Sequence, residues 1–194
     1  MTDLLSNPLW RPEDLGKPLP ESTHAVSVCL PRWADAIGYE EKEPRVVDAL
    51  RAGYPRFVFH PICRRLFEEA ASRFGQPGQR CLAFPTPGSA ERFVQWMARQ
   101  QAAVTTHPWG QNDLTITCFD AGHAELARVY WQHTGEGVSS RLAEACLNNS
   151  QSPAAAEAKQ TLRRRIAVLA NAQPDHVFLF STGMADIYTI HRAL

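Results

Sequence analysis

The sequence predicts an α/β fold, and three observations carry the prediction. Apolar residues recur at helical spacing in Ile62, Leu66, Ala70 and Phe74, and a strand-like run at Arg80–Phe84 follows them. Near the end the order returns: Ala158, Leu162, Ile166 and Leu169 share a helical face, and His176–Phe180 reads as a buried strand. Between the two, Leu114–Phe119 alternates and is rich in β-branched residues, which suit a pleated surface.

Taken in order, residues 1–24 carry Pro8, Pro12, Pro18 and Pro20 and predict an extended, irregular lead-in. Val26, Val28 and Leu30 alternate with other residues in a short strand closed by Pro31. Val46–Ala52 predicts a helix ended by Gly53, and Gly75 stops the helix that begins after Pro61. Pro85-Thr86-Pro87-Gly88 predicts a turn before an amphipathic helix through Ala90, Phe93, Val94 and Met97. Pro108–Asn112 reads as loop, and a helix is expected from about Gly122 to Trp131. Thr134-Gly-Glu-Gly137 is a turn, Ser139 or Ser140 caps a helix through Leu142 and Cys146, and Asn148–Pro153 is a polar linker. Helix is expected again from Ala185, with Ile187, Ile190 and Leu194 on one face. The last residue falls inside that helix with no glycine or proline stop, which leads us to expect a piece of a longer protein.

Composition narrows the function classes. Lys+Arg total 20 and Asp+Glu total 20, so no large electrostatic surface for nucleic acid or anionic lipid is expected. No apolar run approaches the roughly 20 residues that a membrane helix needs. The first residues are acidic and proline-rich, without the apolar stretch of a secretory signal. The five cysteines are odd in number and scattered, which suits reduced thiols in a cytoplasm better than a disulfide framework. His60-x-x-Cys63 has ligand-like spacing, yet no second Cys/His pair accompanies it, so a zinc site is not expected. Ser181 lacks the G-x-S-x-G frame of a hydrolase nucleophile.

The strongest local signal is Val177-Phe-Leu-Phe-Ser-Thr-Gly-Met-Ala-Asp186. A strand running into a glycine turn and then a helix would aim unpaired amides and the positive end of the helix dipole at one spot, which suits a phosphate. Gly183 would permit close approach and positive φ, and the hydroxyls of Ser181 and Thr182 would add hydrogen bonds. An ordinary capped strand–turn–helix explains the same residues, so both readings stay open on the residues alone.

The stretch Ser181–Ala185, S-T-G-M-A, is similar to the phosphate loop of the Cys/Met-metabolism pyridoxal-phosphate enzymes. Four further stretches resemble the long N-terminal region of fungal-type cystathionine γ-synthases. They are the one beginning His24-Ala-Val-Ser-Val, Ile37-Gly-Tyr-Glu-Glu, Gly53-Tyr-Pro-Arg-Phe, and Trp131-Gln-His-Thr-Gly-Glu-Gly-Val-Ser-Ser-Arg141. The resemblance implies an N-terminal arm at 1–60, an α/β region at 61–135, and at 136–194 the start of the large domain of a fold-type-I, aspartate aminotransferase-like transferase, truncated. It implies pyridoxal 5'-phosphate as cofactor, with Ser181, Thr182, Gly183 and Met184 as cofactor-binding residues. Tyr54 and Arg56 match a Tyr-x-Arg phosphate clamp of the family, but lie far upstream of the loop. His133 and Gly135 stand where that pair would otherwise align.

The family's chemistry needs a lysine whose amine condenses with the cofactor aldehyde. Lys17, Lys42 and Lys159 are the only lysines, and none sits in the family's Ser-x-Thr-Lys-type context. The resemblance therefore implies the N-terminal part of a cytoplasmic homo-oligomer that exchanges the γ-substituent of an O-acyl-homoserine for cysteine, with no catalytic residue on this chain. The alternative is a stand-alone non-catalytic module that binds phosphate or contacts a subunit. Residues before about 60 are expected to lack a core of their own and to bury Leu9, Trp10, Val26, Val28 and Trp33 on a neighbouring subunit.

Overall fold

A computed structural model of the chain describes residues 3, 5–53, 57–110, 113–150 and 156–194. The backbone divides into two compact units, Met1–Arg65 and Leu66–Leu194. The fold mixes helix and sheet, as expected.

In the first unit, a 3₁₀ turn at Pro12–Asp14 leads into β1 (Pro18–Leu19), which pairs antiparallel with β2 (Ser27–Val28). Helices α1 (Trp33–Glu40) and α2 (Pro44–Val47) follow. The helix expected over Val46–Ala52 is thus shorter and earlier. Its continuation is diverted because the Arg51 N–H donates to the Gly16 carbonyl at 3.0 Å. Gly16 is obligatory here: its φ is +77°, and a Cβ would lie 1.9 Å from the Ala49 carbonyl oxygen.

Contrary to expectation, this unit packs a core. Ala25, Val28, Tyr39, Val46, Leu50 and Ala52 form one buried cluster, with Leu15, Leu30 and Val58 against it. The elements β2, α1 and α2 contribute one residue each, Val28, Tyr39 and Val46, and the connecting segments supply the rest. Leu9 is buried as well, whereas Trp10, Val26 and Trp33 stay exposed, Trp33 at 80%.

The fully buried Asp35 fixes the start of α1. Its carboxylate accepts from Arg32 Nε at 3.1 Å, from the Arg32 backbone N–H at 3.2 Å and from Arg45 Nη1 at 2.6 Å. A buried carboxylate is tolerated only with such pairing.

The boundary between the units falls inside α3 (Pro61–Phe74), which ends at Gly75 as predicted. In the second unit, β3 (Gln79–Phe84), β5 (Leu114–Asp120) and β4 (Val104–Trp109) form an antiparallel sheet in the order β3-β5-β4. The strand β4 includes Pro108 and Trp109, which the sequence reading placed in a loop. A proline is tolerated there because β4 is an edge strand. Helix α4 (Pro87–Arg99) packs on one face of the sheet through Phe93, whose ring meets Phe84 and Phe119 at centroid distances of 5.0 and 5.8 Å. On β4, Phe74 at the end of α3 stacks on His107 at 4.9 Å. The turn expected at 85–88 is already the helix start: Thr86 caps α4, and Pro87 occupies its first position.

A 3₁₀ turn capped by Asp120 precedes α5 (Ala124–Thr134), and α6 (Ser140–Leu147) is capped by Ser139. The helices α7 (Ala156–Leu169) and α8 (Gly183–Ala193) follow. His176–Phe180 is not a strand. Val177 has extended dihedrals, but the segment bonds to no neighbouring strand among the described residues, and Phe178 is 73% exposed. Its apolar, aromatic composition favours a ladder, and a ladder needs a second strand to receive it.

Asp35 predicts a pH dependence. Hydrogen bonds from Arg32 first, and Arg45 after it, outweigh desolvation and hold its pKa down at about 2, against about 4 for an ordinary carboxyl. Its stabilisation is therefore complete above the ordinary range and drains as pH falls toward 2. Thermal melts from pH 6 to 2 should show wild type losing stability faster than Asp35→Asn, the curves converging at the acid end. Parallel curves would refute the assignment.

Candidate active-site loop

The candidate site lies at the start of α8, in the second unit. Thr182, with extended dihedrals (φ −148°, ψ 157°), is the N-cap: its Oγ accepts the Ala185 N–H at 3.0 Å, and its carbonyl accepts the Asp186 N–H at 3.2 Å. This leaves the amides of Gly183 and Met184 without a partner among the described residues, at the positive end of the helix. A Cβ at Gly183 would meet nothing within 4 Å, so the space beside these amides is open.

Two expectations change here. Gly183 does not use positive φ, since it already lies in the first turn of the helix. The single hydroxyl proton of Thr182 is also committed, because its Oγ donates to the Gly135 carbonyl at 3.3 Å. The spare hydroxyl is that of exposed Ser181. Tyr54 and Arg56 lie outside the described residues. Asp186 is a first-turn acid that complements the dipole.

The contact between Thr182 and Gly135 brings in a turn whose role, and whose Glu136, sequence reasoning missed. Gly135 ends α5 in the left-handed region, φ +65°. A Cβ there would lie 2.4 Å from Thr182 Oγ1 and 2.9 Å from both the Ala185 nitrogen and Met184 Cβ. The next residue, Glu136, is buried, and its carboxylate accepts from Arg92 Nε of α4 and from the Tyr130 hydroxyl of α5, both at 2.8 Å. Burial first, and then the bond to Glu136, push the Tyr130 pKa up, so that phenol stays protonated. The Tyr130 ring also meets Tyr188 of α8 edge-on at 6.3 Å. The available signal was an acid between two glycines directly after a helix. It reads only as a turn until the fold supplies Arg92 from far away in sequence.

Residues 62–139 match the fungal trans-sulfuration enzyme N-terminal domain. Cystathionine γ-synthase of Saccharomyces cerevisiae is 34% identical over 155 residues, covering 71% of this chain and 24% of the relative. The chain is a relative of the fungal cystathionine γ-synthases. A cystathionine γ-synthase-like enzyme of Amanita muscaria is 35% identical over 162 residues, covering 69% of this chain and 26% of that one. A cystathionine γ-synthase-like protein of Aspergillus thermomutatus is 29% identical over 236 aligned positions, covering 94% of this chain and 42% of that relative. That alignment is longer than the 194-residue chain, so the relative carries residues without a counterpart here. The chain spans about a quarter of the length of the first relatives it matches. No solved structure matches it.

The cap itself is testable. Thr182→Ala removes one cap bond and the bond to Gly135, and should cost about 1 kcal/mol of local stability. Hydrogen exchange at Ala185 should then accelerate about fivefold while amides of β5 keep their protection; unchanged exchange at Ala185 would contradict the capping role.

Proposed function

We propose that this chain is the N-terminal part of a pyridoxal-phosphate-dependent enzyme of the cystathionine γ-synthase type, in which the loop Ser181–Met184 holds the cofactor phosphate. The enzyme would join cysteine to the γ-carbon of an O-acyl-homoserine and release the acyl group as a carboxylate. It would do so as a cytoplasmic homo-oligomer with a fold-type-I large domain beginning near residue 136. The observation that carries the reading is the pair of amides at Gly183 and Met184 without a partner among the described residues, opening on clear space in a relative of these synthases.

The donor set fits a phosphate monoester. Backbone N–H groups and the Ser181 hydroxyl give directed hydrogen bonds without the desolvation cost of a buried cation. When bound, pyridoxal phosphate supplies the electron sink for reaction at the carbons of an amino acid. The residues of this chain bind and orient: Gly183 and Met184 donate to the phosphate, Thr182 sets their direction as the cap, and Ser181 adds a hydroxyl. Tyr54 and Arg56 are proposed as a second clamp reaching from the N-terminal arm.

The lysine that would hold the cofactor covalently has no candidate here. Lys17 pairs with Asp14 in the first unit, while Lys42 and Lys159 are exposed. The exposed apolar residues Leu169, Phe178, Ile187 and Ile190 support the reading of a large domain whose own surface meets further polypeptide. Exposed Trp10 and Trp33 support the arm packing on a neighbouring copy.

Two outcomes follow. The isolated chain should bind pyridoxal phosphate reversibly, with affinity lowered about tenfold or more in Gly183→Val, yet borohydride treatment should leave no stoichiometric pyridoxyl-lysine. A single specific lysine adduct, or equal binding by Gly183→Val, would overturn the assignment. In the complete enzyme, Trp10→Ser combined with Trp33→Ser should shift light-scattering mass toward smaller species at micromolar concentration; an unchanged mass would remove the arm from the interface.

A further inference from the structure

Glu136 is a buried carboxylate for which the proposed chemistry has no use. Removing a carboxylate from water is costly, and the cost is met here by partners drawn from different elements. Arg92 donates from α4 and Tyr130 from α5, while the Glu136 N–H donates to Thr134 Oγ at 3.4 Å. Two residues on, the Val138 N–H donates to the Ala83 carbonyl at 3.1 Å, fastening the same turn to the outer edge of β3. The turn Thr134–Val138 is therefore tied to one helix before it, one helix across from it and one strand.

On this anchored turn sits the start of α8. Gly135 is the point of contact, accepting from Thr182 Oγ while its bare Cα faces Thr182, Met184 and Ala185. The residues that touch it are those whose amides or capping atoms define the candidate phosphate loop. A second tie lies one turn further along α8, where Tyr188 meets the Tyr130 ring that serves Glu136.

We propose that Gly135 and Glu136 are positioning residues for the phosphate loop: Glu136 pins the turn to α4 and α5, and Gly135 provides the surface on which Thr182–Ala185 docks. Neither touches a phosphate. Gly135 acts by the absence of a side chain, and Glu136 acts by where it holds Gly135. The inference rests on the reading of Ser181–Met184 as a phosphate loop for its consequence, but not for the contact itself.

The test uses the 194-residue chain with three substitutions at Gly135 and Glu136 and one control, each read by hydrogen exchange and by binding of inorganic phosphate and of pyridoxal phosphate. Gly135→Ala should raise exchange at Ala185 about tenfold or more and weaken both ligands by a similar factor. Gly135→Asn separates docking from backbone strain: asparagine tolerates the left-handed region, so a purely conformational role predicts that Asn rescues. A docking role predicts that it fails like alanine, because its Cβ meets the same atoms. Gly78→Ala is the control, since Gly78 has φ +83° with nothing within 4 Å, and it should leave Ala185 and both ligands unchanged. Glu136→Gln keeps the shape but lowers the charge, and should loosen Ala185 less than Gly135→Ala does, with the β3–β5 amides still protected.

Rescue by asparagine, or loosening spread evenly over β3 and β5, would overturn the proposal. If wild type holds neither ligand while Gly135→Ala still frees Ala185, the platform stands and the phosphate reading falls. If wild type binds and Gly135→Ala binds equally well, the platform falls and the phosphate reading stands.

Discussion

The second unit depends on β5. It is the central strand of three, and every residue from Leu114 to Phe119 is buried, because β3 and β4 pair along its two edges while α4 covers one of its faces. A strand in this place spends all its backbone groups within the protein and has none left for water, which makes its register expensive to change. The register in turn sets where Phe84 and Phe119 stand, and so where Phe93 and α4 can settle. Arg92 precedes Phe93 on that helix. The position of the ion that meets Glu136 thus follows from apolar packing one residue away.

Buried carboxylates recur as the means of fixing chain direction where secondary structure is short. Asp35 fastens the start of α1 with two arginines, and Asp14 holds Lys17 beside the 3₁₀ turn that opens the first unit. These pairs determine geometry as well as adding stability, since each carboxylate is held only where its cationic partners can reach it. Removing one partner is costly, and an alternative fold without both partners is costlier still. That is how a unit built from two-residue strands and short helices keeps one arrangement around a small core.

Local chemistry was legible in the sequence to the extent that it was local. The helices α3 and α4, the strands β3 and β5, and the Ser139 cap follow from periodicity and capping residues, and the structure places them within a few residues of the expected bounds. Failures occurred where a distant partner decides. Arg51 leaves its helix for Gly16, Pro108 and Trp109 become strand because β5 is beside them, and His176–Phe180 stays out of a ladder because no strand receives it. The small core of the first unit was missed for the same reason. Its six residues are scattered over 28 positions, from Ala25 to Ala52, without a period.

The candidate site divides along the same line. Ser181–Ala185 is readable because the proposed phosphate loop consists of consecutive residues whose spacing carries the geometry. Its support is unreadable, because Gly135 and Thr182 are 47 positions apart and Arg92 is 44 from Glu136. The two glycines show how one residue type serves opposite ends. At Gly183 the missing side chain leaves open space beside two amides without a partner among the described residues, and a larger residue would fold there but occupy what the proposed ligand needs. At Gly135 the missing side chain is replaced by protein, so a larger residue would displace the loop itself. On the proposed function, substitution at the first position should therefore be felt by the ligand before the fold, and at the second by the loop before the ligand. That ordering distinguishes a binding glycine from a docking glycine, although both stand beside the same threonine.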